Sequence, residues 1–252
     1  LAMAQAKEKA PEVIPGAGQC RAAVARRAPA LGRGLQAAVD KLWRRARRHL
    51  AGRRGEYLHG LRAAPGLPAV IALRGLLAST FASAEVFIPL YLTREAGWSL
   101  AHAGLVLSAA AVSWSAGSAV QARIADPRQR QRALQVGFGL VAAGLLAVIA
   151  PSAIGASPWC VLVGWPVVGF GIGLSFPMLS VLTLKLSAPG EQGRNASALQ
   201  LSDALCSSAV LAMAGALFNL TIDRGPAAYA LVLSLSLTLA LVGAVLGRRA
   251  FA

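Results

Sequence analysis

The stretch GFGIGLSFPMLSVLTLKLSAPGEQGRNASALQLSDALCSSAV, Gly169 to Val210, decides how the chain is read. It comprises an apolar helix ending near Leu186, a short polar turn, and a second helix carrying one carboxylate, Asp203. A charge set among small and apolar residues is expensive in lipid, so it turns toward a bundle interior or a water-filled cavity. The stretch therefore reads as two neighbouring spans of a membrane bundle.

Composition agrees. The 252 residues are 56% hydrophobic and only 14% charged, with a mean hydropathy of +0.58; a soluble domain carries about a quarter charged residues. Residues 133–184 and 225–247 contain no Asp, Glu, Lys or Arg. Charge-free runs of that length are membrane spans rather than core helices. Cys20, Cys160 and Cys206 show no paired spacing and read as small apolar residues, with no disulfide or metal site. No cofactor motif is present: the glycines of the opening stretch follow no strand and precede no phosphate-binding Lys.

The chain divides into two regions. Residues 1–65 form a basic cytoplasmic arm or linker, partly disordered, with an Ala-, Gly-, Pro- and Arg-rich first part. Over residues 35–52, apolar side chains recur at helical spacing among Arg44, Arg45, Arg47 and Arg48. An amphipathic helix on an anionic leaflet and a solvated linker both fit that pattern. No signal peptide is recognisable. The chain starts at Leu1, so either Met3 is the start or the sequence is a piece of something longer. Residues 66–252 are expected to be an all-α transmembrane domain with six spans, at about 67–92, 99–122, 133–150, 158–186, 195–220 and 226–246. Pro151 and Pro158 are expected to frame the turn between the third and fourth.

Net charge +15 would point to nucleic acid in a soluble protein, but here the charge tracks topology. Six spans put both ends on one side. That side collects 22 of the 25 Lys and Arg residues, 14 of them in the arm, against Arg94 and Arg224 opposite. The positive-inside rule places both termini in the cytoplasm of a multi-pass protein of the inner (plasma) membrane. The expected partners are the lipid bilayer and a small molecule, with no nucleic acid.

Polar groups inside the spans are the candidate site. Arg74 lies seven residues into the first span, ~10 Å deep, and Asp203 eight residues beyond Asn195, ~12 Å deep. Matched depth makes them potential partners. Glu85, eleven residues beyond Arg74, shares its helix face but sits ~16 Å further out, near the outer mouth of whatever that face lines. Gln200, Asp203 and Ser207 form a stripe continued by Val210 and Ala214. The stripe reads as a cavity wall, with a carboxylate that takes up a proton or meets a cationic substrate. It reads equally as an interhelical ion pair or hydrogen bond fixing the bundle, and Arg74 is close enough to the surface to snorkel. Gly164, Gly169 and Gly173 are expected to be packing residues, with Pro177 as a hinge; Gly169 and Gly173 make a G-x-x-x-G face.

FIPLYL at 87–92, WSAGSAVQAR at 114–123, GFGIGLSFPMLSVL at 169–182 and GEQGRNASALQLSDAL at 190–205 resemble the C-terminal half of major facilitator superfamily transporters, in flavour the bacterial drug-efflux-like members. The resemblance covers residues 66–250. It implies a 3+3 inverted repeat, alternating access, and secondary transport of a small organic solute, with proton-coupled efflux (antiport) as the subfamily expectation. It also implies a partner, either an N-terminal six-helix half or a second copy. The alternative is a transport-inactive half-size or truncated protein. No sequence echo links the first three spans to the last three. The family's loop signature is represented by Gly117, Gln121, Arg123 and Arg128, with Gln121 where an acid is expected. An intramembrane serine protease is the one enzyme worth testing. Gly173-Leu174-Ser175 has the setting, but His49, His59 and His102 all precede Ser175, so the base is missing and no enzyme is expected.

Overall fold

The computed structural model describes residues 66–249; the basic arm, its possible helix at 35–52 and Cys20 lie outside them. The described residues form six long helices: α1 (Leu67–Arg94), α2 (Leu100–Ala122), α3 (Pro127–Ile154), α4 (Trp159–Leu186), α5 (Gln192–Thr221) and α6 (Pro226–Arg249), with a 3-10 turn at Ile222–Arg224 before α6. All six are long and apolar enough to cross a membrane.

Local chemistry sets the helix ends. Ser99 caps α2 by accepting the backbone N–H of His102 at 3.3 Å. Asp126 caps α3, with Pro127 at its first position, where a missing N–H costs nothing. Gly155 closes α3 in the left-handed conformation, φ 68°. Pro151 consequently lies inside α3 rather than framing the turn after it. A proline near the C-terminal end removes one backbone bond without stopping a helix whose cap lies a turn further on. Likewise α3 starts six residues before the expected span, because the Asp-Pro cap precedes the basic residues of the turn.

The packing pattern is a symmetric one. α4 packs between α2 and α3, and α1 between α5 and α6; α3 meets α6, and α1 meets α4. Exchanging α1 with α4, α2 with α5 and α3 with α6 maps these contacts onto one another. Consecutive spans alternate in direction, so the two triplets are inverted with respect to each other, the 3+3 arrangement of a transporter half. The sequence carries no trace of it. Contacts are preserved between the triplets while the side chains making them are not.

Close approach of backbones holds α4 in place. On one flank Gly169 and Gly173 lie against α2; a Cβ at Gly169 would come 3.1 Å from the Cα of Ala110, and one at Gly173 3.0 Å from the Cα of Gly117. On the other flank, Gly164 and Gly171 meet Gly144 and Gly137 of α3. Cβ atoms at Gly171 and Gly164 would fall 2.6 and 2.7 Å from the carbonyl oxygens of Gly137 and Gly144. The first flank is the G-x-x-x-G face read from the sequence. The second includes Gly164, also expected to pack, and its seven-residue spacing on both helices is seen only in the structure. Helices in lipid have no hydrophobic drive toward one another, so small residues that allow dense van der Waals contact take its place. α4 runs unbroken through Pro166 and Pro177. Pro177 leaves the Gly173 carbonyl without its usual N–H, and the Ser118 hydroxyl of α2 donates to that oxygen at 3.3 Å. A buried hydroxyl pair, Ser83 and Ser236 at 2.6 Å, ties α1 to α6.

Gly171→Val is expected to force α3 and α4 apart and cost about 1–3 kcal/mol. Gly104→Ala, where an added Cβ meets nothing within 4 Å, should be near neutral. Equilibrium unfolding in mixed micelles compares the two; equal stability would contradict the packing role.

Candidate functional site

Three helices meet at Arg74. Its Nε donates to both carboxylate oxygens of Asp203, at 2.9 and 3.2 Å, joining α1 to α5. One Nη donates to the backbone carbonyl of Phe176 at 2.7 Å and to the Ser180 hydroxyl at 2.8 Å, joining α1 to α4. The guanidinium also stacks on the Phe176 ring, 3.1 Å from its centroid. The side chains of Arg74 and Asp203 are only 5% and 16% exposed. Arg74 therefore turns inward and does not snorkel. An ion pair in low dielectric repays its desolvation better when further donors are satisfied, and here the Phe176 carbonyl and Ser180 take up one Nη of the guanidinium.

Small residues let this happen. α5 approaches α1 at Gly75, where a Cβ would lie 2.7 Å from Cys206 Sγ, and the Ser202 hydroxyl donates to the Ile71 carbonyl at 3.1 Å. Cys206 is a free thiol that fills this contact. Of the stripe read from the sequence, Asp203 points at α1, and Val210 and Ala214 are buried below it. Gln200 is exposed and lines a cleft of about 470 Å³ between α4 and α5, with Ser180, Thr183 and Ser197. Ser207 is half-buried. The stripe thus splits between two surroundings because α5 is covered on one narrow side only.

An aromatic chain runs from the ion pair across three helices. Phe176 of α4 meets Trp114 of α2 edge-on at 5.5 Å, Trp114 meets Phe81 of α1 at 5.3 Å, and Phe81 stacks on Trp165 at 4.9 Å. Phe81, Trp114 and Phe176 are half-buried and Trp165 is fully buried. Trp165 Nε1 and the Ser175 hydroxyl are buried without a hydrogen-bond partner among the described residues. Phe81 lies seven residues from Arg74 and four from Glu85, so all three share one line along α1. At Arg74 that line is covered by α4 and α5; at Glu85 it is exposed. Glu85 has no ion-pair partner among the described residues. The constellation draws on α1, α2, α4 and α5, leaving α3 and α6 behind it.

The remaining motif residues are structural neighbours of this site. Gly117 packs on α4, and Gln121 is 8% exposed in the last turn of α2. Arg123 and Arg128 are exposed. The α2–α3 turn is held by the Asp126 cap on the Arg128 N–H at 3.2 Å, and by Arg130 donating to the Ile124 carbonyl at 2.9 Å. These contacts to the backbone hold a turn in which Gln121 stands where an acid was expected. Sequence reasoning missed Phe176, Ser180, Ser202 and the aromatic chain. Two signals were present: Phe176 and Ser180 flank Pro177 at one-turn spacing, and Phe81 repeats Arg74 at seven residues.

Two inverted triplets of spans, with an arginine–carboxylate pair where α1, α4 and α5 meet, describe half of a known transporter architecture. The family profile described as Major Facilitator Superfamily matches residues 21–211. The chain belongs to the major facilitator superfamily. The matched residues begin inside the basic arm, upstream of the resemblance over residues 66–250, and end within α5. Comparison with curated proteins gives no match. As a member of this family the chain is a multi-pass membrane protein of transmembrane transport, whose surroundings are the lipid bilayer and whose ligands are small solutes.

Breaking the pair from one side leaves an uncompensated charge. Arg74→Leu is expected to destabilise the bundle by about 3–5 kcal/mol, and Arg74→Leu/Asp203→Leu by much less. A double-mutant cycle in mixed micelles measures the coupling, and additive single effects would contradict a formed pair.

Proposed function

We propose that residues 66–252 form the C-terminal six-helix half of a secondary transporter that exports a small organic solute by alternating access, coupled to protons. The carrying observation is the Arg74–Asp203 pair, the one ion pair among the described residues that is removed from water. Its chemistry suits a coupling element. Proton uptake by Asp203 removes the charge that holds Arg74 to α5, while Phe176 and Ser180 still hold the arginine to α4. One protonation thereby loosens α1 and α4 together from α5. Glu85, without an ion-pair partner among the described residues and a turn beyond the aromatic wall, is the second carboxylate that a proton or a substrate meets.

The proposal also needs a second six-helix unit, an N-terminal half or another copy. α2 and α5 are the least buried spans. They expose Ser108, Ser115 and Ala119, and Ala204, Ser208 and Gly215, small residues suited to close helix contact. The orientation we favour has both ends cytoplasmic, at an inner (plasma) membrane. It follows the basic turns, and Trp98 and Trp159, tilted against each other at 4.9 Å at the opposite end, suit an outer interfacial belt.

Asp203→Asn, placed in the intact transporter, is expected to abolish or uncouple efflux while the protein still inserts. Substrate-driven proton flux in proteoliposomes reads this directly, and unchanged efflux would sink the assignment. Glu85→Gln, exposed and unpaired, should alter coupling without lowering stability.

A further inference from the structure

α3 stands outside the converging helices, and its exposed face is not polar–apolar at random. Arg128, Arg132, Val136, Gly139, Ala143 and Leu146 follow at intervals of four, four, three, four and three residues, and all six are exposed. At 100° per residue the six side chains keep within one stripe about 80° wide and ~27 Å long. The stripe begins with two arginines at the basic end of the bundle and continues as an apolar track through the charge-free run.

The track has a notch in the middle. An added Cβ at Gly139 would meet nothing within 4 Å, and Ala143 is the next residue along. Val136 and Leu146, 54% and 58% exposed, stand at either end of the notch. The result is a shallow channel with cations at its head. Those cations form no ion pair among the described residues. Asp126, the nearest carboxylate in the chain, accepts the Arg128 backbone N–H, and neither Arg128 nor Arg132 pairs with an acid among the described residues. Arg130, by contrast, is turned back onto the Ile124 carbonyl.

We infer that this face of α3 binds one anionic phospholipid, its phosphate at Arg128 and Arg132 and an acyl chain in the channel over Gly139 and Ala143. Charge complementarity selects an anionic headgroup over a zwitterionic one, and guanidinium geometry suits phosphate. The apolar part of the track, Val136 to Leu146, is ~15 Å long and matches an acyl chain lying along the helix through one leaflet to the midplane. A free phosphate would use the arginines and ignore the channel.

Native mass spectrometry of the full chain, in micelles doped with phosphatidylglycerol or phosphatidylcholine, tests this. Wild type should retain phosphatidylglycerol preferentially. Each arginine near an anionic headgroup is worth roughly fivefold, so Arg128→Gln/Arg132→Gln should lower the retention about twenty-five-fold. Arg194→Gln should leave it unchanged, since that arginine is already held by Glu191 at 2.8 Å. Gly139→Leu fills the channel without touching charge and should also weaken retention. Persistence of the full preference in the double arginine variant would overturn the proposal, placing the lipid on the arm or another turn. A phosphatidylglycerol with a photoreactive group in mid-chain should label α3 of the wild-type protein. Labelling confined to other helices would overturn the proposal independently of any variant.

Discussion

Backbone contact along α4 is the constraint from which the rest of the bundle follows. With Gly169 and Gly173 against α2 and Gly164 and Gly171 against α3, close backbone contact on two flanks fixes the face that α4 turns to each neighbour. Its rotational position then decides where Phe176 and Ser180 point, and so where Arg74 finds acceptors. In lipid this matters more than in water. Apolar side chains gain little by leaving lipid for a protein interior, so shape and polar satisfaction carry the specificity of packing.

The ion pair rests on this geometry and adds to it. A guanidinium sunk in the membrane needs more than a counter-charge; its other N–H groups also need acceptors. α4 provides a main-chain carbonyl and a hydroxyl one turn apart, on either side of a proline, and a ring for the guanidinium to lie upon. Three helices are thereby tied at one depth. Farther out along α1 the same face opens, first onto half-buried aromatic rings and then onto Glu85. The gradient from a locked pair to an open carboxylate is a property of how the helices diverge, and it gives the two acids different chemical positions.

Much of this was legible in the chain. Six spans, their order and the segregation of basic residues into alternate turns follow from local hydropathy and charge, which tertiary structure does not rewrite. So does the depth match of Arg74 and Asp203, because rise per residue is the same in any helix. The first glycine face of α4 was readable as a four-residue repeat. The second was not singled out, since a seven-residue glycine spacing means little until a partner helix shows the same spacing.

What the sequence by itself determined is therefore one-dimensional: which segments cross, how deep each polar group lies, and which turns are basic. What only the tertiary structure decided is rotational: that α1 and α4 are exchangeable centres of two inverted triplets, that Asp203 looks at α1 while Gln200 looks at a cleft, and that Glu85 is left uncovered. The physical reason is that these helices are apolar on every side. Hydropathy that is uniform around a helix carries no direction, so direction is supplied by glycine contacts, hydroxyl bonds and one ion pair, each of which exists only between helices.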